Sequence, residues 1–280
     1  MNPNIQTFLG CDAEYENAEV VLFGAPFDGT TSFRPGTRFG PQAIRAESFG
    51  IETYSPYVDR DLLDRSVFDA GDLDLPFGAP EKAIRMIEER AARILADAKT
   101  PFLMGGEHLV TLGAARAVVK KYPDVCFLHL DAHADLRAEY VGEELSHASV
   151  LRRVWDMVGD GCIFQFGIRS GDREEFAFAR AHTELHPFDL AAFPQTAKAL
   201  EGRPVYFTLD LDVLDPSCFP GTGTPEPGGV TFQELLAAVH RLHRLNVVGC
   251  DVVELSPHYD QSGVSTAAAC KIVREILLQI

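Results

Sequence analysis

Basic residues are scarce in this sequence: 25 Lys and Arg stand against 41 Asp and Glu, a formal net charge of −16. That balance disfavours nucleic acid and anionic membrane surfaces as partners. It would steer a small cationic substrate inward, although most of the charge reads as ordinary acidic solubility. Long apolar runs are also missing, so no segment is expected to span a bilayer, and residues 1–10 have neither the basic start nor the apolar stretch of a secretory leader. The six cysteines, Cys11, Cys126, Cys162, Cys218, Cys250 and Cys270, form no Cys-x-x-Cys pair. They read as free thiols of a reducing cytosol, three of them as small hydrophobes inside strands. With no linker, repeat or low-complexity segment, and with 46% hydrophobic residues, 1–280 is expected to form a single α/β domain, soluble and cytoplasmic.

What is present is organised around 128–135. The run 125–130 is short and apolar, follows the turn signal Pro123-Asp124, and reads as a buried strand of a parallel sheet. Asp131, His133 and Asp135 follow at every second position, which places them on one side of an extended chain. Two carboxylates and an imidazole facing one way in a covered sheet cost on the order of several kcal/mol each unless paired. A bound cation removes that cost. The strand-like run 205–209 repeats the arrangement with Asp210 and Asp212.

Apolar runs at 19–26, 66–70, 101–104, 162–168, 184–188 and 246–255 read as further strands. Ile84, Ile87, Ala91, Ile94 and Leu95 keep helical spacing and predict an amphipathic helix over 80–98. Other helices are expected near 41–49, 109–121, 146–158, 173–181, 189–200 with Asp189 as cap, 231–245 with a Thr231/Glu234 capping box, and 265–278. The polar stretch 28–40 and the Pro/Gly-rich stretch 215–229 read as shaped loops. The alternation gives a mainly parallel sheet of about eight strands, with helices on both faces and right-handed crossovers.

Sites in such sheets lie beyond the carboxyl ends of the strands. His108, Asp131, His133, Asp135, Asp210, Asp212 and Glu254 all follow or end apolar runs, from four separate strands. Without Glu254 these are two imidazoles and four carboxylates, too many for one tetrahedral ion and suited to two divalent ions sharing carboxylates. Carboxylate-rich ligation favours a hard ion such as Mn²⁺ over Mg²⁺ or Zn²⁺. A metal pair lowers the pKa of water enough to supply a nucleophile at neutral pH, so the reaction class is hydrolysis. Glu254, a buried carboxylate, needs either a cationic substrate group or a nearby arginine. His129, His182, His186, His240, His243 and His258 read as structural histidines.

Four motifs together resemble the ureohydrolase family of arginase and agmatinase. They are Gly105-Gly106-Glu107-His108, Asp131-Ala132-His133-Ala134-Asp135, the stretch from Asp210-Leu211-Asp212 to Pro216, and Pro220-Gly221-Thr222-Gly223-Thr224-Pro225-Glu226-Pro227-Gly228-Gly229. They stand in the family's order across most of the chain, and the last is more similar to agmatinases than to arginases. The resemblance implies an α/β/α sandwich, two Mn²⁺ ions, hydrolysis of a guanidinium group to urea and an amine, and a homo-oligomer, trimer or hexamer. It implies that His108, Asp131, Asp135 and Asp210 hold one ion and Asp131, His133, Asp210 and Asp212 the other. His147 matches the proton-transfer histidine and Glu254 the carboxylate beside the guanidinium. Thr224, in the last motif, and Asp172, at a position that would suit the distal ammonium of agmatine, are expected to bind substrate.

Three departures stand out. Glu107 replaces the usual Asp before the metal histidine, Ser146-His147-Ala148-Ser149 replaces a His-Gly-Thr pattern, and Arg137 occupies a position where arginases carry a polar residue. Arg137 is expected to pair with an acidic neighbour such as Glu139, the alternative being contact with an acidic substrate. The leading expectation is hydrolysis of agmatine to putrescine and urea. The alternatives are another guanidino compound (guanidinobutyrate, aminopropylagmatine, arginine), a non-catalytic metal-binding protein on the same fold and, lacking a basic clamp for phosphate, a dinuclear phosphoesterase.

Overall fold

The computed structural model describes residues 6–280, so the part of the N-terminal reading that concerns residues 1–5 lies outside the described residues. In chain order the strands are β1 (Val20–Ala25), β2 (Tyr54–Ser55), β3 (Arg60–Asp61), β4 (Val67–Asp72), β5 (Thr100–Gly105), β6 (Cys126–Leu130), β7 (Ile163–Phe166), β8 (Glu184–His186), β9 (Pro204–Asp210) and β10 (Asn246–Val253). The helices are α1 (Gly40–Glu47), α2 (Pro80–Ala96), α3 (Thr111–Lys121), α4 (Val150–Val158), α5 (Arg173–His182), α6 (Phe193–Ala199), α7 (Phe232–Val239) and α8 (Val264–Leu277). Eight strands form one sheet in the order β4-β1-β5-β10-β9-β6-β7-β8, with every neighbouring pair parallel. The short pair β2–β3 is a separate antiparallel ribbon.

The layering follows from strand periodicity. In β1, Val20 and Leu22 enter one core with Ile44 of α1, Phe193 of α6, Leu235 of α7 and Ile272 of α8. Val21 and Phe23 enter the other, with Ile84 of α2, Val118 of α3, Val154 of α4 and Ala179 of α5. Both faces of the strands are therefore dry, which is why they are apolar throughout rather than alternating. Each large side chain so buried contributes about 1.5–3 kcal/mol. The three-layer α/β/α arrangement is as expected, and all eight strands of the sheet are parallel.

Several boundaries moved for identifiable reasons. Strand β8 stops at His186 because Pro187 brings no N–H to the ladder. Asp189 does not cap the next helix: its carboxylate accepts from the Ala191 amide, and α6 begins at Phe193, since Pro194 is tolerated only in a helix's first turn. Thr231 and Glu234 form the expected capping box, but α7 ends at Val239, where His240 turns to Glu275 (2.8 Å), and a separate 3₁₀ turn, Leu242–Arg244, follows. The loop 215–229 is shaped by Arg169, whose guanidinium donates to the carbonyls of Asp212, Val213 and Glu226. Gly229 is required there, because a Cβ would lie 2.5 Å from the Asp215 nitrogen. No helix among the described residues is long and apolar enough to cross a membrane. All six cysteines are unpaired.

Candidate functional site

The strands β5, β10, β9 and β6 lie side by side at the centre of the sheet, and their carboxyl ends open into one cavity of about 320 Å³. His108 follows β5, Asp131, His133 and Asp135 follow β6, Asp210 ends β9, and Glu254 follows β10. All six predicted donors converge there together with Glu254. Asp131, His133 and Asp135 do not continue the extended chain as expected, however. Strand β6 stops at Leu130, His133 forms an isolated bridge to Ser170, and Asp135 takes a left-handed φ of 54°. The bend separates the three side chains: Asp135 faces His108 while His133 faces Asp212.

The result is a cluster with two poles. His108 Nδ1 lies 3.0 Å from Asp131 Oδ2, 3.1 Å from Asp135 Oδ2 and 3.4 Å from Asp210 Oδ2. His133 Nδ1 lies 3.1 Å from Asp212 Oδ2 and 3.4 Å from Asp131 Oδ1, so the two oxygens of Asp131 divide between the poles. His108 Nδ1 is buried without a hydrogen-bond partner. Its tautomer is set from behind. Asp251 accepts the single hydroxyl proton of Thr208 (2.7 Å), so Thr208 Oγ1 must accept from His108 Nε2–H (3.0 Å), leaving a lone pair on Nδ1.

When His108 is neutral, that lone pair faces three carboxylate oxygens and needs a cation. Where no metal ion supplies it a proton does, and against the cost of burial the three carboxylates hold His108 well above the usual imidazole range. Burial, reinforced by the neighbouring Asp131, pushes Asp135 up to about 7, and burial beside Asp212 raises Asp210 well above the carboxylate range. The six donors therefore fit two dications by charge and by atom type.

His129 also falls within ligand distance of His108 and Asp131, but it has no free lone pair. Its Nδ1 accepts from Gln165 Nε2 (3.0 Å) and its Nε2–H donates to Asp131 Oδ2 (2.8 Å). It is the structural histidine that was expected, here orienting Asp131.

Glu254 takes a left-handed φ of 67° that turns it out of β10 toward the cavity. Its Oε1 accepts from the His108 amide (2.7 Å), and no arginine or lysine among the described residues pairs with it. Burial, with Glu107 and Asp212 nearby, raises its carboxyl well above the usual range. His147 sits in the cavity wall with Nε2 3.2 Å from Ser32 Oγ, and burial pushes its imidazole down to about 4, so the ring is neutral at neutral pH. Thr224 also lines the cavity and donates to Asp212 Oδ2 (3.3 Å).

Arg137 does not pair with Glu139. It bridges Asp172 Oδ2 (3.2 Å) and Glu175 Oε2 (3.1 Å) and lies over the Tyr140 ring. Asp172 lines the cavity with both oxygens engaged, since Oδ1 caps α5 through the amides of Glu174 and Glu175. Thr30, Ser32, Thr208 and Asp251 were not singled out from sequence. Asp251 carried a signal, being the one charged residue inside the apolar run of β10. The hydroxyls carried none.

The sequence pattern of the Arginase family matches residues 18–279. An agmatinase of Bacillus subtilis is 48% identical over 277 residues, covering 98% of this chain and 96% of the relative. A guanidinobutyrase of Pseudomonas aeruginosa is 34% identical over 292 residues, covering 98% and 89%. The crystal structure of a candidate agmatinase from Clostridium difficile superimposes with a TM-score of 0.93 at 50% identity, covering 95% of this chain and 99% of that one. The parallel sheet, the paired poles beyond its central strands and these similarities agree, and the chain belongs to the Arginase family.

Proposed function

We propose that the chain hydrolyses agmatine to putrescine and urea, with 1–280 acting as one catalytic domain. One observation carries the guanidinium assignment: Glu254 is buried at the cavity beside the metal cluster, with an oxygen left over and no cationic protein partner among the described residues. A planar cation is its natural counter-charge. Agmatine in particular is favoured by the 48% identity to an agmatinase against 34% to a guanidinobutyrase.

His108, Asp131, Asp135 and Asp210 would hold one divalent ion, and Asp131, His133, Asp210 and Asp212 the other, with Mn²⁺ preferred for this oxygen-rich set. When bound, such a pair lowers the pKa of water enough to supply a nucleophile at neutral pH. Glu254 orients the guanidinium by charge-assisted hydrogen bonds, fixing its carbon over the cluster. His147 moves a proton between the cavity and solvent at Nε2, because the departing amine must gain one. Thr224 steadies Asp212 and offers its oxygen to substrate at the cavity wall. Asp172 presents negative charge to the distal ammonium, shared with Arg137.

Arg137 in the same wall favours one alternative, a guanidino acid such as guanidinobutyrate. A urea-release screen of the Mn²⁺-loaded protein over agmatine, arginine, guanidinobutyrate and aminopropylagmatine decides among them. Absence of urea from all four would sink the hydrolase reading and leave a binding protein. We propose a cytoplasmic homo-oligomer, trimer or hexamer; sedimentation velocity tests the oligomeric state.

A further inference from the structure

The loop after β1 is pressed onto the end of β5. Gly106 makes room for it, since a Cβ there would lie 1.9 Å from the Phe27 carbonyl oxygen, and the Glu107 amide donates to that oxygen (2.8 Å). The Glu107 side chain is fully buried and is not aimed at the metal cluster. Its carboxylate accepts from the Thr30 amide (2.9 Å), Thr30 Oγ1 (2.7 Å) and Thr31 Oγ1 (3.1 Å). Because Thr30 gives its one hydroxyl proton to Glu107, its oxygen is left as an acceptor, and it receives the His147 amide (3.1 Å). Two residues further on, Ser32 Oγ meets His147 Nε2 (3.2 Å). The backbone and the ring of His147 are thus both held by a loop more than a hundred residues away, and that loop is held by Glu107.

We infer that Glu107 and Thr30 are positioning residues for His147, acting through the relay Glu107–Thr30–His147. The direction follows from the His147 amide, which can only donate: Thr30 Oγ1 accepts from it and turns its own proton to the Glu107 carboxyl. Glutamate supplies the reach. A shorter aspartate at 107 would fall about one methylene short of the three donors it gathers, and the loop would have to follow it. This rests on His147 being the proton-transfer group.

The test compares Thr30→Val, Thr30→Ser, Glu107→Gln and His147→Ala in the full-length Mn²⁺-loaded protein. Metal content, kcat and KM for agmatine, and hydrogen exchange at the His147 amide are measured for each. Thr30→Val should lower kcat roughly tenfold, less than the 10²-fold or more expected of His147→Ala, with KM and metal content unchanged. It should also speed exchange of the His147 amide, and Thr30→Ser should restore both. Combining Glu107→Gln with Thr30→Val should cost no more than the worse single change, because both break one chain of contacts. Wild-type kcat and exchange in Thr30→Val, or losses that multiply in the double variant, would overturn the relay. If His147→Ala keeps full activity, the proton-transfer role fails instead, and the exchange measurement alone still decides whether Thr30 seats His147.

Discussion

The two poles of the cluster use the same chemistry, an imidazole Nδ1 facing carboxylates, yet they are built differently. The His108 pole is closed: its side chain is 1% exposed and is backed by Thr208 and Asp251, with Tyr206 also donating to Asp251 (2.7 Å). The His133 pole is open: its side chain is 24% exposed, it stands on an irregular segment after β6, and its partner Asp212 is tied by the Ala132 amide (3.1 Å) and by Thr224 from the loop 215–229. Strands and buried hydrogen bonds fix one side of the centre, while loops shape the more exposed side. A fixed pole holds geometry and an open one admits exchange.

The largest effect expected is removal of both poles at once. Chelated protein should release no urea, and Mn²⁺ should restore activity; full turnover by rigorously metal-free protein would contradict the proposed chemistry. Asp131→Ala, which takes an oxygen from each pole, should empty both, whereas Asp212→Ala should empty only the open one. Elemental analysis reads the difference, and retention of two metals in Asp131→Ala would refute the shared carboxylate.

Next comes the scaffold behind the closed pole. Asp251→Asn or Thr208→Val removes the group that keeps a proton on His108 Nε2, and metal affinity at that pole should fall roughly 10- to 100-fold while the open pole is spared. A Mn²⁺ titration indistinguishable from wild type would mean that the tautomer needs no such support.

Smaller effects belong to the mouth on the open side. Arg137→Ala frees Asp172 Oδ2, so KM for agmatine should fall and KM for guanidinobutyrate rise, each by no more than about fivefold for so exposed a pair. Asp172→Asn should raise KM for agmatine by a similar factor. The opposite pattern would mean that Arg137 does not set the charge that substrate meets at the mouth. The smallest change is a control away from both poles: Thr231→Ala breaks the capping box of α7 and should cost about 1 kcal/mol, or roughly 2 °C in Tm, with metal content and kcat untouched.

Much of this centre is legible in the chain because strands have a period of two and end in polar turns. Asp131, His133, Asp135, Asp210 and Asp212 announce themselves as charges that an apolar strand delivers to one place. Which pole each serves cannot be read from spacing and came only from the family resemblance. That depends on the left-handed turn at Asp135 and on the adjacency of β6 and β9, strands separated by more than seventy residues of chain. Arg137 shows the same limit, since it bypasses Glu139 for Asp172 and Glu175 at the start of a later helix.

The sequence by itself determined the alternation of elements, the dryness of both sheet faces and the set of charged residues gathered beyond the central strands, because these follow from local periodicity and from the cost of burying charge without a partner. Only the tertiary structure decided that Thr208 and Asp251 orient His108, that His129 orients Asp131, and that Glu107 reaches His147 through Thr30. A hydroxyl or a buried carboxylate acquires a direction only from the partner across from it, and that partner is supplied by sheet order and loop packing rather than by neighbours in the chain.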